Sequence, residues 1–159
     1  MPINAKKPMT PEAALIRLEE ACARAEQCTG ELRQKLRSWQ IGDADADTII
    51  RSLVRRRFVD DRRFAAAFTA DKYRFLRWGR RKIEMALRQK RIPSDIIAEA
   101  LEQIDKDEYA ASLSYILVQK LPSATSATPY ETRLKLYRFA VARGFEPSLV
   151  SDAIDDIMS

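Results

Sequence analysis

The sequence has no histidine, only four glycines and only two cysteines in 159 residues. Without histidine there is no imidazole base for a Ser or Cys nucleophile, and no HExxH metal site. The few glycines are scattered, so no Gly-rich loop can cradle a nucleotide phosphate. No CxxC pair is present, and no stretch alternates apolar and polar residues as a half-buried strand would. No uninterrupted apolar run approaches the roughly 20 residues that span a bilayer. The opening MPINAKKPM has two lysines but no apolar run behind them, so no secretory signal is expected. Cys22 and Cys28 are read on one helix, where six residues of rise hold their Cα atoms about 9 Å apart, beyond disulfide reach. These absences point to a cytoplasmic, reduced protein with no metal, no cofactor, no membrane contact and no enzymatic activity.

Ala, Leu, Arg and Glu are abundant, which favours helix, and the expected class is all-α. Thr10-Pro11-Glu12 reads as a helix start, followed by Ala14, Leu15, Leu18, Ala21, Cys22 and Ala25 at helical spacing. Thr29 is the expected cap of a second helix carrying Leu32, Leu36 and Trp39. A third helix, starting among Asp43, Asp45 and Asp47, turns Ile49, Ile50, Leu53 and Val54 inward. Further helices are expected at about 60–78, 79–91, 94–104, 106–120, 129–143 and 147–158. Thr128-Pro129-Tyr130-Glu131 has capping-box spacing, and Gly144 suits the left-handed residue after a helix.

The pattern repeats. Leu32/Leu36/Ile41 recurs as Ile83/Leu87/Ile92 and again as Leu136/Ala140/Phe145. After each turn, Ile96, Ile97, Ala100, Leu101 and Ile104 match Leu149, Val150, Ala153, Ile154 and Ile157. Ile49, Ile50, Leu53 and Val54 fit the same scheme with four extra residues in the first turn. The expected architecture is therefore three tandem three-helix repeats forming an elongated, curved body. A disordered tail covers 1–9, the repeats cover 10–58, 59–105 and 106–159, and a flexible loop is expected at 121–130.

Charge follows the repeats. Residues 51–91 carry 15 Lys/Arg against 4 Asp/Glu, while 92–159 carry 6 against 11. A basic centre beside acidic flanks is the footprint of contact with a polyanion. On a helical wheel Phe64, Phe68 and Phe75 share a core stripe, and Arg63, Arg74 and Arg77 gather elsewhere. Arg81 and Arg88 project outward from the fifth helix, and Arg51 and Arg55 stand opposite the Ile49/Leu53 stripe. These seven arginines, Arg51, Arg55, Arg63, Arg74, Arg77, Arg81 and Arg88, are the candidate nucleic-acid or filament contacts, since a guanidinium fork matches two phosphate oxygens. Trp78 and Tyr73 are secondary candidates for stacking on bases, against packing at the helix junction.

The pair Asp60-Asp61 raises the one question of chemistry. Adjacent helical side chains diverge by about 100°, so the two cannot share a proton or clamp one metal. Asp60 is read as a cap, Asp61 as charge at the positive helix end, and Phe58 as the apolar staple.

RRRFVDDRRFAAAF followed by WGRRKIEMALRQKRIPSDIIAEAL is similar to the core of the RecX family, modulators of the RecA recombinase. LRQKL with Trp39 upstream and RFAVARGFEPSLVSDAI downstream extend the resemblance to most of the chain, although Gln40 stands where the family often has Gly. The resemblance implies a monomer that lies in the groove of a RecA–single-stranded DNA filament. There it would dampen filament growth, ATP turnover and strand exchange in DNA repair and the SOS response. Two other readings compete: a helix-turn-helix-like transcriptional regulator, and a helical adaptor that binds only protein.

Overall fold

The computed structural model describes residues 8–159. Among these the chain is helical throughout, with α1 (Pro11–Arg24), α2 (Thr29–Ser38), α3 (Asp43–Arg55), α4 (Asp61–Phe75), α5 (Arg80–Gln89), α6 (Ser94–Glu102), α7 (Lys106–Ala124), α8 (Pro129–Ala142) and α9 (Pro147–Met158). Of the tail expected over 1–9, residues 1–7 lie outside the described ones, while Met9 packs against the first core. No helix among the described residues is long and apolar enough to cross a membrane.

The apolar triplets that define the repeat are all buried. Leu32, Leu36, Ile83, Leu87, Leu136, Ala140 and Phe145 are fully enclosed, and Ile41 and Ile92 nearly so. Each triplet ends on the same backbone device. Gln40, Arg91 and Gly144 adopt left-handed φ values of 60°, 60° and 98°, and each is followed by the buried apolar residue. In the first repeat Gln40 donates its N–H to the Arg37 carbonyl and Ile41 donates to Leu36, the paired bonds of a Schellman stop. Gly144 and Phe145 repeat the pattern onto Val141 and Ala140. Gln40, where glycine would be easier, makes the same turn at the steric cost of a left-handed side-chain residue.

The chain divides into two compact units, one running to Phe64 together with Lys90–Ile92, the other comprising Ala65–Gln89 and Pro93–Ser159. In the first unit Ala14, Leu18, Leu32, Leu36, Ile41, Ala46, Ile49, Ile50, Leu53 and Val59 form one core. Val54, expected to face inward, is exposed, so α3 buries a narrower stripe. Cys28, not Thr29, is the N-cap residue of α2, and it makes no side-chain cap bond. The cap comes from a distant residue: Asp61 accepts the Thr29 N–H at 2.8 Å and the Thr29 hydroxyl at 2.7 Å. Asp60 caps its own helix, accepting from the N–H groups of Arg62 and Arg63 at 2.9 and 3.2 Å. Val59, fully buried and directly before that cap, takes the place in sequence expected for Phe58. The acidic pair is thus structural, each carboxylate closing a different helix. Because α1 ends at Arg24, the two cysteines do not share a helix, and both are free thiols.

In the second unit α7 packs on α8 and α9, and α5 on α6. Thr10 and Thr128 cap α1 and α8 as their spacing implies. Helix α7 runs on through Pro122 to Ala124, so the first residues of the stretch expected as a loop are helical. Ala124 is buried there, and the Thr125 hydroxyl donates to the Leu121 carbonyl at 2.9 Å. Gly79 lies against the third turn. Its N–H donates to the Arg143 carbonyl at 2.8 Å, and the Gly144 carbonyl accepts from Arg81 N–H at 3.0 Å. A Cβ on Gly79 would overlap the Gly144 backbone, whereas one on Gly42 would meet nothing. Gly79→Ala is therefore expected to lower stability by about 1–3 kcal/mol in urea unfolding. Gly42→Ala should cost no more than about 1 kcal/mol, and Gln40→Gly should gain up to about 1 kcal/mol by relieving the left-handed turn. Equal midpoints for Gly79→Ala and Gly42→Ala would contradict the backbone bridge.

Candidate nucleic-acid interface

The basic run is organised by the chain reversal after α4. That helix ends at Phe75, three residues before the sequence suggests, because Arg77 takes a left-handed φ of 53°. A helical wheel therefore misplaces everything after Phe75. Phe75 itself, expected in the core with Phe64 and Phe68, is 79% exposed. Arg77 does not share a helix face with Arg74. Its guanidinium lies 3.8 Å from the centre of the Tyr115 ring and 3.4 Å from the Ser112 hydroxyl, both on α7.

The seven candidate arginines fall into two sets. In the first unit Arg51 and Arg55 are exposed, one turn apart on α3, and make no ion pair or hydrogen bond. Arg63 is held instead, donating to Glu26 at 2.6 Å. In the second unit Arg81 is exposed and unpaired. Arg74 donates to the Tyr73 hydroxyl at 2.9 Å and stands 3.9 Å from Glu108, and Arg88 pairs with Glu84 one turn back at 2.8 Å. Both of these ion pairs are more than half exposed on the arginine side. Such pairs contribute about 0–1 kcal/mol, so an incoming phosphate can displace them.

Side chains that the sequence did not single out complete the surface. Lys82 Nζ lies 4.4 Å and Lys72 Nζ 5.1 Å from the Trp78 ring centre, and Lys72 is also 5.1 Å from Phe68. The Phe68 ring meets Trp78 edge-on at 6.4 Å. Trp78 is thus half-buried and already engaged by two ammonium groups, a positioning role rather than an open stacking face. Tyr73, the other stacking candidate, is buried and donates to Glu108 at 2.9 Å; burial, then that bond, pushes its hydroxyl pKa up. The signal for these contacts lies in the tight reversal at Arg77-Trp78-Gly79, which brings Lys82 back towards Lys72.

Behind the turn a polar knot fixes its frame. Tyr109 donates to Glu146 and accepts the Arg80 N–H at 3.0 Å, while the Arg80 guanidinium pairs with Glu146 at 3.0 Å and covers the Tyr109 ring at 3.9 Å. Burial, reinforced by Glu146, raises the Tyr109 hydroxyl pKa, so it stays a proton donor at any physiological pH. The neighbouring groove of about 400 Å³ is lined by Ala110, Leu113 and Ala153, with two cations, Arg80 and Lys106, and two carboxylates, Asp152 and Asp156. Burial pushes the Cys28 thiol up to about 11, and burial with Glu26 raises Cys22. Neither thiol is therefore activated as a nucleophile near neutral pH.

Helices in threes, joined by a shared left-handed turn and bearing a basic reversal, define an all-α tandem-repeat protein. A family model described as RecX, second three-helix domain, matches residues 60–101. The regulatory protein RecX of Chlorobaculum tepidum is 33% identical over 113 residues, spanning 69% of this chain and 68% of that one. That of Clostridium botulinum is 31% identical over 120 residues, 72% of this chain and 56% of the relative. The chain thus aligns with about half to three-fifths of the length of the clostridial relatives. The crystal structure of RecX from Lactobacillus salivarius superposes with a TM-score of 0.83 over 92% of this chain and 95% of that one, at 16% identity. The chain belongs to the RecX family of regulatory proteins.

Tyr109→Phe is expected to strand the Arg80 N–H and one Glu146 oxygen, costing about 1–3 kcal/mol. Urea unfolding followed by circular dichroism measures the loss. An unchanged midpoint would show that the knot does not brace the turn.

Proposed function

We propose that this chain binds a RecA–single-stranded DNA filament as a monomer in the cytoplasm and restrains its ATP turnover and strand exchange. It would act by docking, with no chemistry of its own. The observation that carries this reading is the basic reversal of residues 72–82, which holds six Lys/Arg and no Asp/Glu, in a chain of the RecX family. Apart from Arg80 and Arg77, which is also bonded to the Ser112 hydroxyl, its cations are exposed or held by weak surface pairs and ring faces, so they suit a phosphate backbone. The transcriptional reading has less support. The helices that follow the second and third turns, α6 (SDIIAEALE) and α9 (PSLVSDAIDDIM), carry no Lys or Arg and would repel a major groove.

ATP hydrolysis by the purified recombinase on single-stranded DNA tests the proposal. The wild-type chain should lower the rate, and Arg81→Glu with Arg88→Glu should weaken that effect while helicity stays constant. For every phosphate no longer held, the slope of log affinity against log salt should fall by about 0.7. A rate unaffected by the wild-type chain would refute the reading, and preferential binding to one duplex sequence would replace it with the transcriptional one.

A further inference from the structure

We infer that Phe75 is a stacking platform for an unpaired nucleobase, flanked by Lys72 and Lys82 as phosphate ligands that Trp78 holds in place. This deepens the filament-binding reading and rests on it for the partner, single-stranded DNA. Phe75 is the most exposed large apolar side chain among the described residues, at 79%, and Leu76 beside it is 46% exposed. A phenyl ring left four-fifths exposed at the end of a helix offers apolar surface whose burial against a partner is favourable. The charge around it says which partner. Phe75 lies in the middle of the acid-free run 72–82, with Asp71 just before it. It stands one helical turn beyond Lys72, whose ammonium, like that of Lys82, is drawn onto the indole of Trp78.

Two ammonium groups gathered on one ring, three residues along the chain from an open aromatic, supply the parts that a single nucleotide calls for: partners for phosphate and for base. The indole cannot serve as the platform because the ammonium groups already lie against it. A single strand fits better than a duplex, whose bases are already stacked, and better than an apolar protein surface, which would leave the cations desolvated and unpaired.

The experiment compares the full chain on labelled oligothymidylate and on an abasic sugar–phosphate strand of equal length. The wild type should favour oligothymidylate by roughly 5- to 150-fold, the range of one base stack. Phe75→Ala and Phe75→Leu should both bring oligothymidylate down to the abasic level with an unchanged salt slope, and Phe75→Trp should keep the preference. Lys72→Ala with Lys82→Ala should lower the slope by about 1.4 on both strands. Because Phe75 is exposed, its variants should keep the wild-type circular dichroism spectrum. Equal wild-type binding to both strands, or a preference that survives in Phe75→Ala, overturns the inference. So does a Phe75→Ala chain that binds DNA normally but no longer inhibits the recombinase; that result makes the ring a protein contact and leaves the filament reading intact. A base preference lost in Phe75→Ala, in a chain whose wild type does not slow the recombinase, keeps the stacking site and removes the filament reading.

Discussion

The fold depends on one contact between backbones, the seat of a left-handed turn against the start of a helix. In the second unit the N–H groups of Gly79 and Arg81 donate to the Arg143 and Gly144 carbonyls of the turn, and the backbones lie so close that no side chain fits on Gly79. In the first unit Gly30, at the start of α2, is met in the same way by the carbonyl of Lys90 and the side chain of Arg91. Lys90 pairs there with Glu31, and the buried Cys28 Sγ lies 4.0 Å from the Lys90 carbonyl. The turn can approach only because its left-handed residue directs the next apolar side chain into the core, as Ile92 and Phe145 show. Packing within a repeat and seating of its turn are thus one event, which is how short helices of 9 to 15 residues hold together.

Helix ends are closed over long separations in sequence. Asp61 serves Thr29 across 32 residues, and Tyr109 serves Arg80 across 29. Each bond satisfies an N–H that a helix start leaves without a partner, and each costs the desolvation of a polar group if broken. The caps therefore act as tertiary contacts, fixing which helix lies beside which as well as how each begins.

The repeat was legible because burial imposes period and period survives in one sequence: all nine residues of the three matched triplets are buried. The caps at Thr10, Asp60 and Thr128 were legible because they act within three residues. Less accessible was anything set by a distant partner. Thr29 looks like a cap but is itself capped by Asp61; Val54 fits the stripe but faces solvent. The candidate site suffered most. Arg77 ends α4 with a left-handed φ that no propensity assigns to arginine, and Phe75, on the wheel stripe of Phe64 and Phe68 but at the last residue of the helix, is exposed. The charge total was readable; the partners Glu26, Glu108 and Tyr115, which decide how each arginine is held, were not.

The start of α5 sets local electrostatics against the fold. Its first turn is Arg80-Arg81-Lys82 with no acid, although a helix N-terminus carries partial positive charge and each cation there costs about 0.3–1 kcal/mol. Local preference and global fold disagree at this helix start. The structure limits the cost residue by residue. The Arg80 charge is met by Glu146 and by the Tyr109 ring, and the Lys82 ammonium rests on Trp78. The Arg80 and Arg81 N–H groups already donate to Tyr109 and Gly144, which leaves the side chains rather than the helix end to receive an anion. Only Arg81 of the three has no partner, and its charge is the one left for solvent or for phosphate to meet.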